Sequence, residues 1–235
     1  NGANGLQPGF VRGRRLLNLD TEEDGQLYVG CAGGKDTVLT LPLSREKVAD
    51  RRPAFTLAVK GLRGGHSGGD IHEGRGNANR ILARALHALA QAGADFALVS
   101  VQGGSKRNAI PREAFATFCV PRSRERKVRK LVAQWEKTVR EELGAVEPDL
   151  GLGVSLVEGA LPAILKRKHQ KQILQTISAL PHGVVKMSAA ISWLVETSTN
   201  VAVVGPEGAT ITLAPSQRSS VASAIAELAQ TVRTI

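Results

Sequence analysis

Aromatic side chains make up only 3% of the 235 residues, and cysteine occurs only twice. The first shortage leaves few platforms on which exposed bases stack. Cys31 and Cys119 stand far apart and outside any Cys-x-x-Cys or Cys/His spacing. That arrangement argues against a zinc ribbon or a disulfide scaffold and fits a reducing cytoplasm. Also missing is any apolar run near the roughly 18 residues that a membrane-spanning helix needs, so no membrane partner is expected. No charged-then-apolar leader opens the chain. Its first residues, Asn1 to Gly9, lack a methionine and read as a loop cut open, so a piece of a longer protein is expected.

Positive charge and glycine are what the chain has in quantity. The formal net charge is +10, with basic runs at Arg122–Lys130 and Lys166–Lys171. Both runs sit where amphipathic helices begin, and a solvated helix face accounts for them as readily as a polyanion does. No nucleic-acid motif accompanies the charge, so a basic nucleic-acid-binding domain is the lesser alternative.

Glycine concentrates in residues 61–79, Gly-Leu-Arg-Gly-Gly-His-Ser-Gly-Gly-Asp-Ile-His-Glu-Gly-Arg-Gly-Asn-Ala-Asn. A strand over Ala54–Lys60 leads into this stretch and a helix over Asn77–Ala92 leads out. Two readings stand side by side. One is a flexible, capped turn. The other is an anion or carbonyl site, because glycines admit a close ligand and a helix N-terminus presents unpaired N–H groups.

Hydrophobic periodicity predicts further strands at Thr37–Leu43, Phe96–Gln102, Glu113–Val120, Gly153–Glu158, Val184–Met187, Val201–Val204 and Ala209–Ala214. It predicts helices over Ser123–Leu143, with Ser123 as N-cap, over Lys168–Leu180 and over Ser216–Thr231. Asn108 and Asn200 each open a hairpin that ends at an arginine, Arg122 or Arg218. The echo points to an α+β fold: two related halves forming one antiparallel sheet with helices on one face.

Three groups of residues carry possible chemistry. Asp20, Glu22, Glu23 and Asp24 end an apolar run, where carboxylates hold cations or simply solubilise a turn. His66 and His72, six apart, do not align on one helical turn. They make better hydrogen-bond donors to a substrate carbonyl or carboxylate than zinc ligands, and one preorganised donor contributes about 3 kcal/mol to a transition state. Arg218, between a strand and a helix, suits a two-bond grip on a carboxylate or is an ordinary surface arginine.

Several segments together resemble a known family. Leu6–Phe10, Leu17–Gly25, Gly30–Gly34, Gly61–Asn79, Lys106–Ala114 and Leu194–Asn200 are similar to the aminoacyl-histidine (Xaa-His) dipeptidase branch of the M20 zinc peptidases. The resemblance implies residues 1–43 as a partial catalytic-domain segment and 44–235 as the lid domain, built from two ferredoxin-like halves, 53–158 and 159–235. It further implies zinc as cofactor, dipeptides as substrates and a homo-oligomer formed through the lid. By the same resemblance Asp20 is a zinc ligand and His66 the lid histidine that polarises the scissile carbonyl. Arg218 binds the substrate carboxylate, and Asn108 helps line the cleft. Most metal ligands and the general base would lie outside the chain, so this piece alone is expected to be inactive. A non-catalytic dimerisation module is the nearer alternative. One departure stands out: Ser188–Trp193 replaces the acidic residue and Pro-Gly that the family usually carries before its Leu-Val-Glu-Thr run.

Overall fold

The computed structural model describes residues 5–15, 17, 25, 30–48, 52–159 and 163–235. The chain divides into two compact units, Asn1–Cys31 and Ala32–Ile235. In the first, the Phe10 N–H bonds the Gln7 carbonyl at 3.2 Å across a turn containing Gly9. Asp20 and its acidic neighbours lie outside the described residues.

The second unit opens with β1 (Gly33–Asp36), β2 (Leu39–Pro42) and β3 (Arg45–Glu46). β4 (Ala54–Lys60) leads into the glycine-rich stretch, which contains β5 (Gly65–His66), and α1 (Ala78–Gln91) follows. Next come β6 (Ala97–Gly103), β7 (Ala109–Ile110), β8 (Ala114–Cys119), α2 (Glu125–Leu143) and β9 (Gly151–Val157). The rest runs through β10 (Ile164–Leu165), α3 (Arg167–Ala179), β11 (Gly183–Met187), β12 (Val195–Glu207), β13 (Thr210–Ser219) and α4 (Ala222–Arg233).

Alternation makes the strands. Phe55, Leu57 and Val59 of β4 enter the core, while Thr56, Ala58 and Lys60 face the other way. Ala114, Ala116 and Phe118 of β8 join them from the neighbouring strand. The α1 stripe Ile81, Leu82, Ala85, Leu86 and Leu89 is buried over this surface, each leucine contributing about 2 kcal/mol by its burial. Asn77 caps α1, its side chain accepting the Arg80 N–H at 3.2 Å.

Among the described residues the main sheet has nine strands. Its order is β1-β13-β12-β6-β8-β4-β9, with β2 also on β13 and β11 also on β12. Every ladder is antiparallel. The segment β4-α1-β6-β8-α2-β9 gives the spatial order β6-β8-β4-β9, the ferredoxin-like arrangement. Helix α1 packs on α2 and α3 as well as on the sheet, and α4 lies along β13 and β1. β10 pairs with β3 in a separate ribbon, and β5 pairs with β7 in another.

Two local expectations need correction. The closing helix starts at Ala222 rather than Ser216, because Ser216–Ser219 extend β13 opposite Thr197–Asn200. Arg218 is therefore a strand residue and not a strand-to-helix corner. Ser123 does not cap α2; it sits inside a 3-10 turn, Arg122–Arg124, and no side chain caps that helix. The β12–β13 hairpin is also far longer than the apolar runs predict. The part of its extra length that pairs Thr197–Asn200 with Ser216–Ser219 is polar but largely buried, with Thr197 and Ser219 sharing a 2.9 Å hydroxyl bond.

Candidate functional site

The glycine-rich stretch is a braced loop rather than a floppy turn. Buried Glu147, just beyond α2, accepts the Arg63 N–H at 2.7 Å with one carboxylate oxygen and the Gly76 N–H at 2.8 Å with the other. Arg112 holds the Leu62 carbonyl at 3.0 Å, and Arg75 holds the Gly64 carbonyl at 2.6 Å. Glycine is required where the chain turns hardest. Gly65 has φ 139°, and a Cβ there would run into the Arg75 guanidinium and the Asp70 carboxylate.

This frame sets the His66 ring. Asp70 accepts the His66 backbone N–H at 2.7 Å, and the Gly69 N–H donates to His66 Nδ1 at 3.1 Å. A ring whose Nδ1 accepts a hydrogen bond carries its proton on Nε2 when neutral. Among the described residues no hydrogen bond reaches His66 Nε2, so an N–H donor is presented to the exterior.

Arg218 arrives from β13, next to Ser198 of β12 in the ladder. A Cβ on Gly68 would lie 3.2 Å from both the Arg218 Cδ and the His66 Cε1, so the missing side chain is what lets these two groups approach. The Arg218 Nε is buried without a hydrogen-bond partner, and no ion pair to Arg218 occurs among the described residues. The nearby Glu196 is engaged with Lys186 at 3.0 Å. An unpaired guanidinium at a cleft is a ready carboxylate site.

Both groups line one cleft of about 290 Å³, together with His72, Trp193, Glu196 and Ser198. Asn108 is not on this lining. Its side chain is exposed, and it serves the loop through its carbonyl, which accepts the Ser67 N–H at 2.9 Å. Behind the cleft lies an amide network. Buried Asn77 donates to Asn200 Oδ1 at 3.3 Å, and Asn200 donates to the Ala109 carbonyl at 2.8 Å. His182 Nδ1 stands 3.4 Å from the Asn77 amide. Burial, aided by the Arg80 charge, lowers its pKa from 6.5 to about 4, so this ring stays neutral.

Glu147 and Trp193 were not singled out as site residues from the sequence. Glu147 carries no local signal, since its partners lie 84 and 71 positions away. Trp193 carried one: it is one of two tryptophans in a chain poor in aromatics. For metal, no group of three or more His, Cys, Asp or Glu side chains capable of holding an ion occurs among the described residues. They do not fit a zinc site.

These features define a class. Residues 57–147 match the M20 peptidase dimerisation domain. The particular relatives are dipeptidases. Over 204 residues the chain is 41% identical to the cytosol non-specific dipeptidase of Escherichia coli (strain K12), covering 87% of this chain and 42% of that protein. The aminoacylhistidine dipeptidase of Vibrio alginolyticus superposes with a TM-score of 0.86 at 37% identity, over 99% of this chain and 47% of that one. The chain thus spans less than half the length of either relative. No helix among the described residues is long and apolar enough to cross a membrane.

Proposed function

We propose that this chain is the lid and dimerisation part of a cytoplasmic, zinc-dependent dipeptidase that hydrolyses Xaa-His and other dipeptides. The observation that carries the reading is the pairing of a free His66 Nε2–H donor with an unpartnered Arg218 guanidinium across one cleft. In this reading Arg218 grips the free carboxylate of the dipeptide, and His66 donates to the scissile carbonyl as negative charge develops on its oxygen. The braced loop fixes that donor before substrate arrives, which limits the reorganisation needed during the reaction.

Asp20 is assigned as a zinc ligand on resemblance alone. The other ligands and the general base belong to the parent protein's catalytic domain, of which residues 1–43 are read as a segment. Zinc would supply an activated water there; the lid described here supplies substrate contacts. Asn108 acts as a loop support rather than a cleft residue. A homo-oligomer formed through the lid is in keeping with the dimerisation-domain match.

The test is His66→Ala in the full-length protein. Turnover should fall about 100-fold to 1000-fold, while the urea midpoint stays near the wild-type value because the ring is exposed. Unchanged turnover would remove His66 from the site and with it this reading.

A further inference from the structure

Trp193 is 74% exposed, an unusual setting for the largest apolar side chain. The other tryptophan, Trp135, is half-buried with the Arg84 guanidinium 5.1 Å from its ring. The exposure of Trp193 does not come from a loose segment. The turn joining β11 to β12 is closed by the Ser188 N–H to the Leu194 carbonyl at 2.8 Å and the Leu194 N–H to the Ile191 carbonyl at 3.2 Å. Ser188 Oγ also accepts the Ala190 and Ile191 N–H groups, each at 3.2 Å. The Lys186–Glu196 ion pair closes the base. Trp193 sits at the end of this pinned turn and lines the same cleft as His66 and Arg218.

The cleft therefore has two polar anchors and one aromatic surface. We propose that Trp193 is a specificity-determining platform: it stacks against a planar side chain, imidazole or phenyl, on the substrate residue whose carboxylate Arg218 holds. The physical basis is the preference of flat π surfaces for offset or edge-on contact, which adds binding beyond simple area burial. Leu194 and Val195 border the platform with aliphatic surface that extends the apolar contact a planar ring would make. The proposal rests on the carboxylate role of Arg218 and names the substrate side chain that this same site selects.

The experiment compares kcat/KM for Ala-His, Ala-Phe and Ala-Ala in the full-length protein and three variants. Wild type should prefer the planar substrates over Ala-Ala. Trp193→Ala should cut that preference about ten-fold, mostly through KM, and Trp193→Phe should restore most of it. Arg218→Ala should raise KM for all three dipeptides. If Trp193→Ala leaves the preference intact while Arg218→Ala raises KM, the platform is wrong and the carboxylate reading stands. If Arg218→Ala leaves KM unchanged, the carboxylate reading fails and takes the platform with it.

Discussion

The two walls of the cleft are built on different principles. The His66 wall is a loop with little secondary structure of its own, braced from elsewhere in the chain by Glu147 and Arg112 and from within by its own Arg75 and Asp70. The Trp193 wall is a hairpin end held almost wholly by itself, through Ser188 and the Lys186–Glu196 pair. A loop braced from outside transmits damage from its braces and depends on the whole fold. A self-closed hairpin end varies without disturbing its surroundings. The polar anchors lie on the braced wall and on the long central hairpin. The aromatic surface lies on the independent wall, where specificity is free to change.

That contrast predicts a gradient of effects. Glu147→Ala strips the acceptor from two backbone N–H groups at once, and the unfilled bonds should cost about 3 kcal/mol. Urea unfolding would measure the loss, and hydrogen exchange should quicken across 61–77 but not at 188–194. Uniform quickening would erase the distinction between the walls.

Acid gives a middle-sized effect, through a residue that meets the end of the braced loop. His182 precedes β11 and contacts Asn77 at the end of the braced loop. Its native pKa of about 4 lies below the unfolded value of 6.5. The unfolded chain thus binds more protons between these limits, so stability falls as pH drops from about 6.5 toward 4 and this contribution is level above 6.5. The loss should reach about 2 kcal/mol after allowance for solvent screening. Denaturant titrations of wild type and His182→Gln from pH 7 to 4.5 would show it as a gap between the slopes. Parallel slopes would assign the acid response to other groups.

Ser188→Ala should be mildest, about 0.5 kcal/mol, since the hydroxyl it deletes bonds N–H groups in an exposed turn. Its mark should appear as faster exchange at Ala190 and Ile191, with the 61–77 amides unmoved.

The same contrast separates what was legible in the sequence from what was not. Periodicity located β4, β8, α1 and the body of α2, because their apolar residues repeat at strand or helix spacing. His66 stood out because glycines and titratable groups cluster beside it. The remote brace Glu147 did not, because it reaches across the fold to make its bonds. Ser216–Ser219 read as the start of the closing helix; strand pairing with Thr197–Asn200 overrode that reading. Asn77, Asn79 and Asn200 were visible as letters, but their meeting depends on the start of α1 coming up against β12.

Those asparagines also mark where the sheet is thinnest. β6 and β12 share one ladder pair, Gly103 opposite Val204. Beside that pair the Asn79 amide lies within hydrogen-bond distance of the Gly103, Val201 and Ala202 carbonyls, at 3.4, 3.2 and 3.3 Å. Higher up, the free margin of β6 is closed by Gln170, whose amide accepts the Leu98 N–H and donates to the Phe96 carbonyl. A load pulling the ends of the sheet apart would meet its least resistance along this line. The molecule would part there into two panels, with the side chains of Asn77, Asn79 and Asn200 as the polar fastenings left to give way.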